Sequence, residues 1–232
     1  MDYSPTSWSR TTNWISSFVA QVYAWMFFAL ALTAITAVSI AATPPLVSFF
    51  LSNPIIIFGL IIVELAMVAV LAGLVTKISP GIATLVFIGY SILNGITLSM
   101  IFLAFTTESI AVTFFVTSGM FGVMSIYGYV TKTDLTKIGN LLFMALIGLI
   151  IASIVNIFLV NSVLYWITSF IGVLIFVGLT AYDTQKIKRM SQVVDETTGE
   201  ARKTAILGAL ALYLDFINLF LFMLRFAGVQ RQ

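Results

Sequence analysis

The chain has 232 residues, of which 60% are apolar and only 9% charged, and its mean hydropathy is +1.10; soluble domains carry roughly 25% charged residues, so this apolar surplus calls for lipid and excludes a soluble module. The net charge of +2, with no basic run longer than Lys186-Ile187-Lys188-Arg189, argues against nucleic-acid binding. With no cysteine there is no disulfide framework or thiolate chemistry, and with no histidine the side chain that ordinarily titrates between about pH 5 and 8 is missing.

Windows of about 20 apolar residues predict seven membrane-spanning helices, at roughly 18–42, 54–76, 81–104, 110–130, 138–160, 163–182 and 204–224. The fold class is therefore an all-α integral membrane protein, with a cytoplasmic amino-terminal segment (1–17) before a single membrane domain (18–232). Pro44-Pro45 and Asn53-Pro54 are read as closing the first span and opening the second, Ser79-Pro80-Gly81 as breaking the second from the third, and Asn161-Ser162 as separating the fifth from the sixth. No small-residue cleavage site follows the first span, which reads as a retained helix. Of the eleven Lys and Arg residues, all but Arg225 and Arg231 fall in the amino-terminal segment and the loops after the second, fourth and sixth spans. That bias places the amino terminus in the cytoplasm and, after an odd number of spans, the carboxyl terminus outside.

Asp2, Asp134, Asp195, Glu196 and Glu200 fall in the cytoplasmic segments and Glu108 in an outer loop, where water solvates them. Glu64, Asp183 and Asp215 remain. Glu64 lies inside the second span, Asp183 at the inner end of the sixth, and Asp215 near the middle of the seventh, where an ionisable group costs about 2.5 to 3.5 kcal/mol. At about 1.5 Å per residue, Asp215 and Glu64 lie roughly 16 and 18 Å from the inner boundary, so the two can share a level, with Asp183 nearer the surface. Thr204, Gly208, Ala211 and Asn218 align with Asp215 opposite Leu207, Leu210, Leu214, Ile217 and Leu221, and an asparagine one turn away can hydrogen-bond a carboxyl. Ser91, Asn94, Gly95 and Thr97 make a similar patch on the third span. Ser118, Gly119 and Gly122 on the fourth are assigned to packing.

No cation in the sequence stands at the depth of Asp215, so the buried carboxyls must be protonated, paired, hydrated or ion-bound. Two carboxyls sharing a site titrate as one coupled unit. Carboxylate, carbonyl and water oxygens also suit a hard cation such as Ca²⁺. Enzyme signatures are missing: there is no phosphate-binding glycine loop and no G-x-S-x-G elbow, so the chain reads as a non-enzyme. Of the intramembrane diaspartyl protease pairing, Tyr182-Asp183 is present but Leu214-Asp215 lacks the glycines.

Ala211-Leu-Tyr-Leu-Asp215-Phe-Ile-Asn218, followed by Leu224-Arg225-Phe226, resembles the last-helix signature of the Bax inhibitor-1 (transmembrane Bax inhibitor motif) family. Tyr182-Asp183 with Ile187-Lys188, Asn94-Gly95-Ile96-Thr97 and Lys132-Thr-Asp134-Leu135 resemble further marks of the family, as Asn156-Ile-Phe158 does more weakly. The resemblance implies seven helices with the last wrapped by the other six, and a pH-sensitive passive leak of Ca²⁺ as the permeant ion, with no cofactor. It further implies a diaspartyl pH sensor at Asp183 and Asp215, which would hold Ca²⁺ only transiently, with Glu64, Asn94 and Asn218 along the ion path. Where a bacterial relative has an arginine latch near the inner end of the second helix, this chain offers Lys77, a point charge without the bidentate fork. The implied setting is a bacterial inner membrane, as a monomer. Some bacterial members instead modulate a membrane-bound AAA protease, which makes a protease partner the competing expectation.

Overall fold

Helix formation dominates because the apolar stretches leave the backbone no partner but itself in lipid. The computed structural model describes residues 5–75, 77–194 and 199–231, with side chains from residue 13 onward. Asp2, Thr76, Asp195 and Glu196 lie outside the described residues, as do the first four residues of the expected amino-terminal segment. Among the described residues the elements are α1 (Pro5–Ala41), α2 (Pro44–Ser52), α3 (Pro54–Leu74), α4 (Pro80–Leu98), α5 (Ile101–Ala104), α6 (Thr107–Val130), α7 (Thr136–Leu159), α8 (Ser162–Met190) and α9 (Gly199–Ala227). Seven segments are long and apolar enough to cross a membrane, as expected.

The differences lie at the ends of the spans. Pro44-Pro45 does not merely close the first helix. It opens α2, a nine-residue apolar helix with no buried residue, because proline at the first helical turn has no N–H to lose and a φ already suited to the helix. Pro54 and Pro80 start α3 and α4 in the same way, and the Ser79 hydroxyl caps α4 by accepting from Ile82 N–H at 3.3 Å. The third span breaks at Ser99-Met100, where 3₁₀-type bonds such as Met100 N–H to Thr97 O (3.3 Å) replace the α ladder. The first span's helix already runs from Pro5, α8 continues to Met190 and α9 starts at Gly199, so the last two exceed the expected 163–182 and 204–224. Asp183 therefore sits about two turns inside α8 rather than at its end.

The chain divides into two compact units, Met1–Ala104 with Lys188–Tyr213, and Phe105–Ile187 with Leu214–Gln232. In the first unit, Phe18, Val22, Met26, Ala29, Thr33 and Ala37 form a buried stripe on α1. It meets α4 so closely that a Cβ on Gly95 would stand 2.7 Å from the Thr33 carbonyl. The amino-terminal part of α9 adds Ala205, Ile206, Leu212 and Tyr213, all fully buried. In the second unit, glycines set the close crossings. A Cβ on Gly128 of α6 would collide with the Ala181 carbonyl of α8, one on Gly139 of α7 with the Tyr182 ring, and one on Gly172 of α8 with the Phe222 ring of α9.

By contrast, a Cβ on Gly119 or Gly122 would meet nothing within 4 Å, and Ser118 donates to its own helix at Phe114 O. The packing role expected of these three belongs instead to Gly128. The buried share is largest in the last span, 61%, and smallest in the fifth, 6%. Ile150, Ile151, Ile154 and Phe158 of α7 are exposed, an apolar surface suited to lipid.

Candidate functional site: acids on α3, α8 and α9

Asp183 is placed by its neighbours on α8. Ala181 is wedged against Gly128 and the Tyr182 ring against Gly139. Gln185, 6% exposed, accepts from Leu135 N–H at 2.9 Å and donates to Thr133 O at 2.8 Å. The helical turn carrying Asp183 is thus fixed on α6, on α7 and on the loop between them. From α9 comes Asp215, 4% exposed, and its carboxyl and that of Asp183 lie within interaction range of each other. Two carboxylates facing each other repel, and a pair of this kind titrates as one coupled unit. Oδ2 of Asp215 has no hydrogen-bond partner.

Lys186, one turn after Asp183, is close enough to act electrostatically on both acids, and its Nζ stands 5.9 Å above the Tyr182 ring. The acids therefore have a cation that the sequence reading missed by ending the sixth span at residue 182. Lys77, the expected latch, is exposed and belongs to the first unit. Asn218 does not serve Asp215 as expected: its amide donates to Leu214 O at 2.8 Å. The expected division of α9 into a polar inner face and an apolar outer one also gives way, since Leu210 and Ile217 are buried alongside Asp215.

Glu64 forms a separate cluster in the first unit. It is 8% exposed and accepts from Asn94 Nδ2 at 3.2 Å and from Thr97 Oγ1 at 3.0 Å. Asn94 bridges onward, because its Oδ1 accepts from the Tyr213 hydroxyl at 3.0 Å. That hydroxyl is 2.7 Å from Thr33 Oγ1, itself 2.9 Å from Ser91 O. The expected patch of Ser91, Asn94, Gly95 and Thr97 is thus a polar seam against α1 and α3. Tyr213 and Thr33 were missed, although Tyr213 lies two positions before Asp215 in the signature.

Among the described residues no three acidic side chains gather as a metal cluster. Ca²⁺ takes six to eight oxygens, so the acid pair alone is no calcium cage; an ion touching it keeps most of its water.

The family model described as inhibitor of apoptosis-promoting Bax1 matches residues 15–232. The inner membrane protein YbhL of Escherichia coli (strain K12) is 51% identical over 218 residues, covering 94% of this chain and 93% of its own length. An uncharacterised protein of Borreliella burgdorferi is 43% identical over 216 residues, covering 93% of each chain. The uncharacterised protein RP147 of Rickettsia prowazekii is 39% identical, covering all of this chain and 99% of its own.

Proposed function

Because the chain belongs to the Bax inhibitor-1 family, we propose that it is a pH-sensitive passive calcium leak of a bacterial inner membrane, gated by Asp183 and Asp215. The observation that carries this reading is the pairing of two carboxyls inside membrane-spanning helices. With a shared proton, the pair is a neutral acid bonded to a carboxylate. Without it, two like charges face each other where water screens poorly, and their repulsion favours separation or capture of a cation. Since Asp215 rides on α9 and Asp183 on a turn anchored to α6 and α7, the proton count biases the packing of α9 against α8. Lys186 tempers the repulsion. Glu64 and Asn94 contribute oxygens to the ion's route, and the positive-inside count supports a cytoplasmic amino terminus.

The test is Ca²⁺ flux into dye-loaded proteoliposomes between about pH 5 and pH 8, for the wild-type chain, Asp183→Asn and Asp215→Asn. The expected result is a flux that varies with pH in the wild type and loses that variation in both variants. No flux above protein-free liposomes at any pH would overturn the leak and leave a modulator of a membrane-bound protease in its place.

A further inference from the structure

Thr117 Oγ1 and Ser125 Oγ of α6, together with Asp215 Oδ2, are buried oxygens without a hydrogen-bond partner. Their residues are 0%, 7% and 4% exposed. Helical hydroxyls in this chain ordinarily turn back on their own backbone: Thr33, Thr84, Ser91, Ser118 and Thr180 each donate to the carbonyl four residues earlier at 2.7 to 2.9 Å. Thr117 and Ser125 leave the corresponding carbonyls of Thr113 and Phe121 alone. A buried polar atom without a partner costs about 1 to 3 kcal/mol, and three in one unit mark a place where a small polar species completes the bonding.

Ring contacts place these residues along the two helices. Phe121, midway between Thr117 and Ser125, packs on Phe216 with ring centroids 5.4 Å apart, while Phe114 reaches Phe216 at 5.5 Å and Phe220 at 6.3 Å. Here α6 and α9 run in opposite senses, with Phe216 between the levels of Phe114 and Phe121. At about 1.5 Å per residue, Thr117 and Ser125 are about 12 Å apart along α6, and the Asp215 level falls close to that of Thr117. One turn beyond Thr117, the buried Thr113 lines an open cavity of ≈ 390 Å³ together with Glu108, Ser109 and Met223.

We propose that Thr113, Thr117, Asp215 Oδ2 and Ser125 form an oxygen-lined file that leads a partly hydrated hard divalent cation between the Glu108 cavity and the acid pair. The proposal rests on the calcium-leak reading and adds the route to it. Hydroxyl and carboxylate oxygens are ligands for such an ion, and the carboxylate charge repels an anion. They are too few to hold it, which suits an ion that must leave again.

The chain's lack of cysteine makes single-cysteine variants unambiguous. Thr117→Cys and Ser125→Cys in proteoliposomes would be treated with a membrane-impermeant cationic methanethiosulfonate between about pH 5 and pH 8, with and without Ca²⁺. Val123→Cys, on the apolar exposed face, is the lipid-facing control. The expected result is modification at 117 and 125, slowed several-fold by Ca²⁺, and none at 123. Thr117→Val should lower Ca²⁺ flux several-fold while keeping the wild-type melting temperature, since the methyl replaces an oxygen that bonds to nothing in the protein. Failure of both cysteines to react, or reaction that Ca²⁺ does not slow, would overturn the file even if wild-type flux is present. Calcium-protected labelling without wild-type flux would uphold the file and overturn the leak.

Discussion

The Tyr213 hydroxyl donates to Asn94 Oδ1 at 3.0 Å, so the α9 helix that carries Asp215 also supplies the last bond of the Glu64 cluster. The ring is held independently, edge-on to Phe87 at 6.0 Å and to Tyr90 at 5.7 Å. Tyr213→Phe should therefore keep the packing and lose only the hydroxyl, leaving Asn94 Oδ1 without its donor while Thr33 Oγ1 keeps Ala29 O and Ser91 O. The expected cost is about 1 to 3 kcal/mol, read as a lowered unfolding midpoint in detergent with unchanged helical content. An unchanged midpoint would mean that the seam contributes nothing to stability.

Glycines on a single helix should differ sharply. Gly128→Ala places a methyl against the Ala181 carbonyl, where backbone would have to move, and should cost about 1 to 3 kcal/mol. Gly122→Ala meets nothing within 4 Å and should gain up to about 1 kcal/mol from helix propensity. Unfolding both variants alongside the wild type decides the matter, and equal effects of either sign would refute the assignment of the α6–α8 crossing to Gly128.

Much of this arrangement was legible in the sequence, for identifiable reasons. A carboxylate at mid-span is costly enough to advertise itself, which singled out Asp215, and the polar spacing of Ser91, Asn94, Gly95 and Thr97 revealed the α4 seam. The polar composition after Tyr182 hid the fact that α8 runs on to Met190, and with it the place of Lys186 one turn from Asp183. Prolines at 44 and 45 look like breakers to a reader of hydropathy and act as helix starters once a first turn is available. The pattern of small residues on α6 announced a close crossing without saying which face makes it, so Gly119 and Gly122 drew the assignment that belongs to Gly128. Nor does any local signal say that the hydroxyls of Thr117 and Ser125 decline the bonds their neighbours make.

Gln185 offers a way to disturb the acid pair without touching either acid. Gln185→Leu preserves approximate volume and leaves Leu135 N–H and Thr133 O without the side chain that now bonds both at 2.9 and 2.8 Å. The expected loss is about 1 to 3 kcal/mol. Because the α8 turn would also be freed, the pH at which Ca²⁺ flux is half-maximal should shift. A loss of stability without any shift would restrict Gln185 to a structural role.

Glu64→Gln separates conduction from sensing. Both carboxyl oxygens of Glu64 accept, from Asn94 Nδ2 and Thr97 Oγ1, whereas glutamine offers one acceptor and one amide donor, so one of these bonds must be lost or reversed. The side chain also loses the negative charge it can present to a cation. If Glu64 lies on the ion route while Asp183 and Asp215 hold the gating proton, the variant should lower Ca²⁺ flux several-fold at every pH and leave the midpoint of its pH response in place. Asp215→Asn should do the reverse, abolishing the pH response whatever happens to its amplitude. A Glu64→Gln protein whose pH midpoint moves as far as that of an acid-pair variant would place the gating proton on α3 and α4 instead.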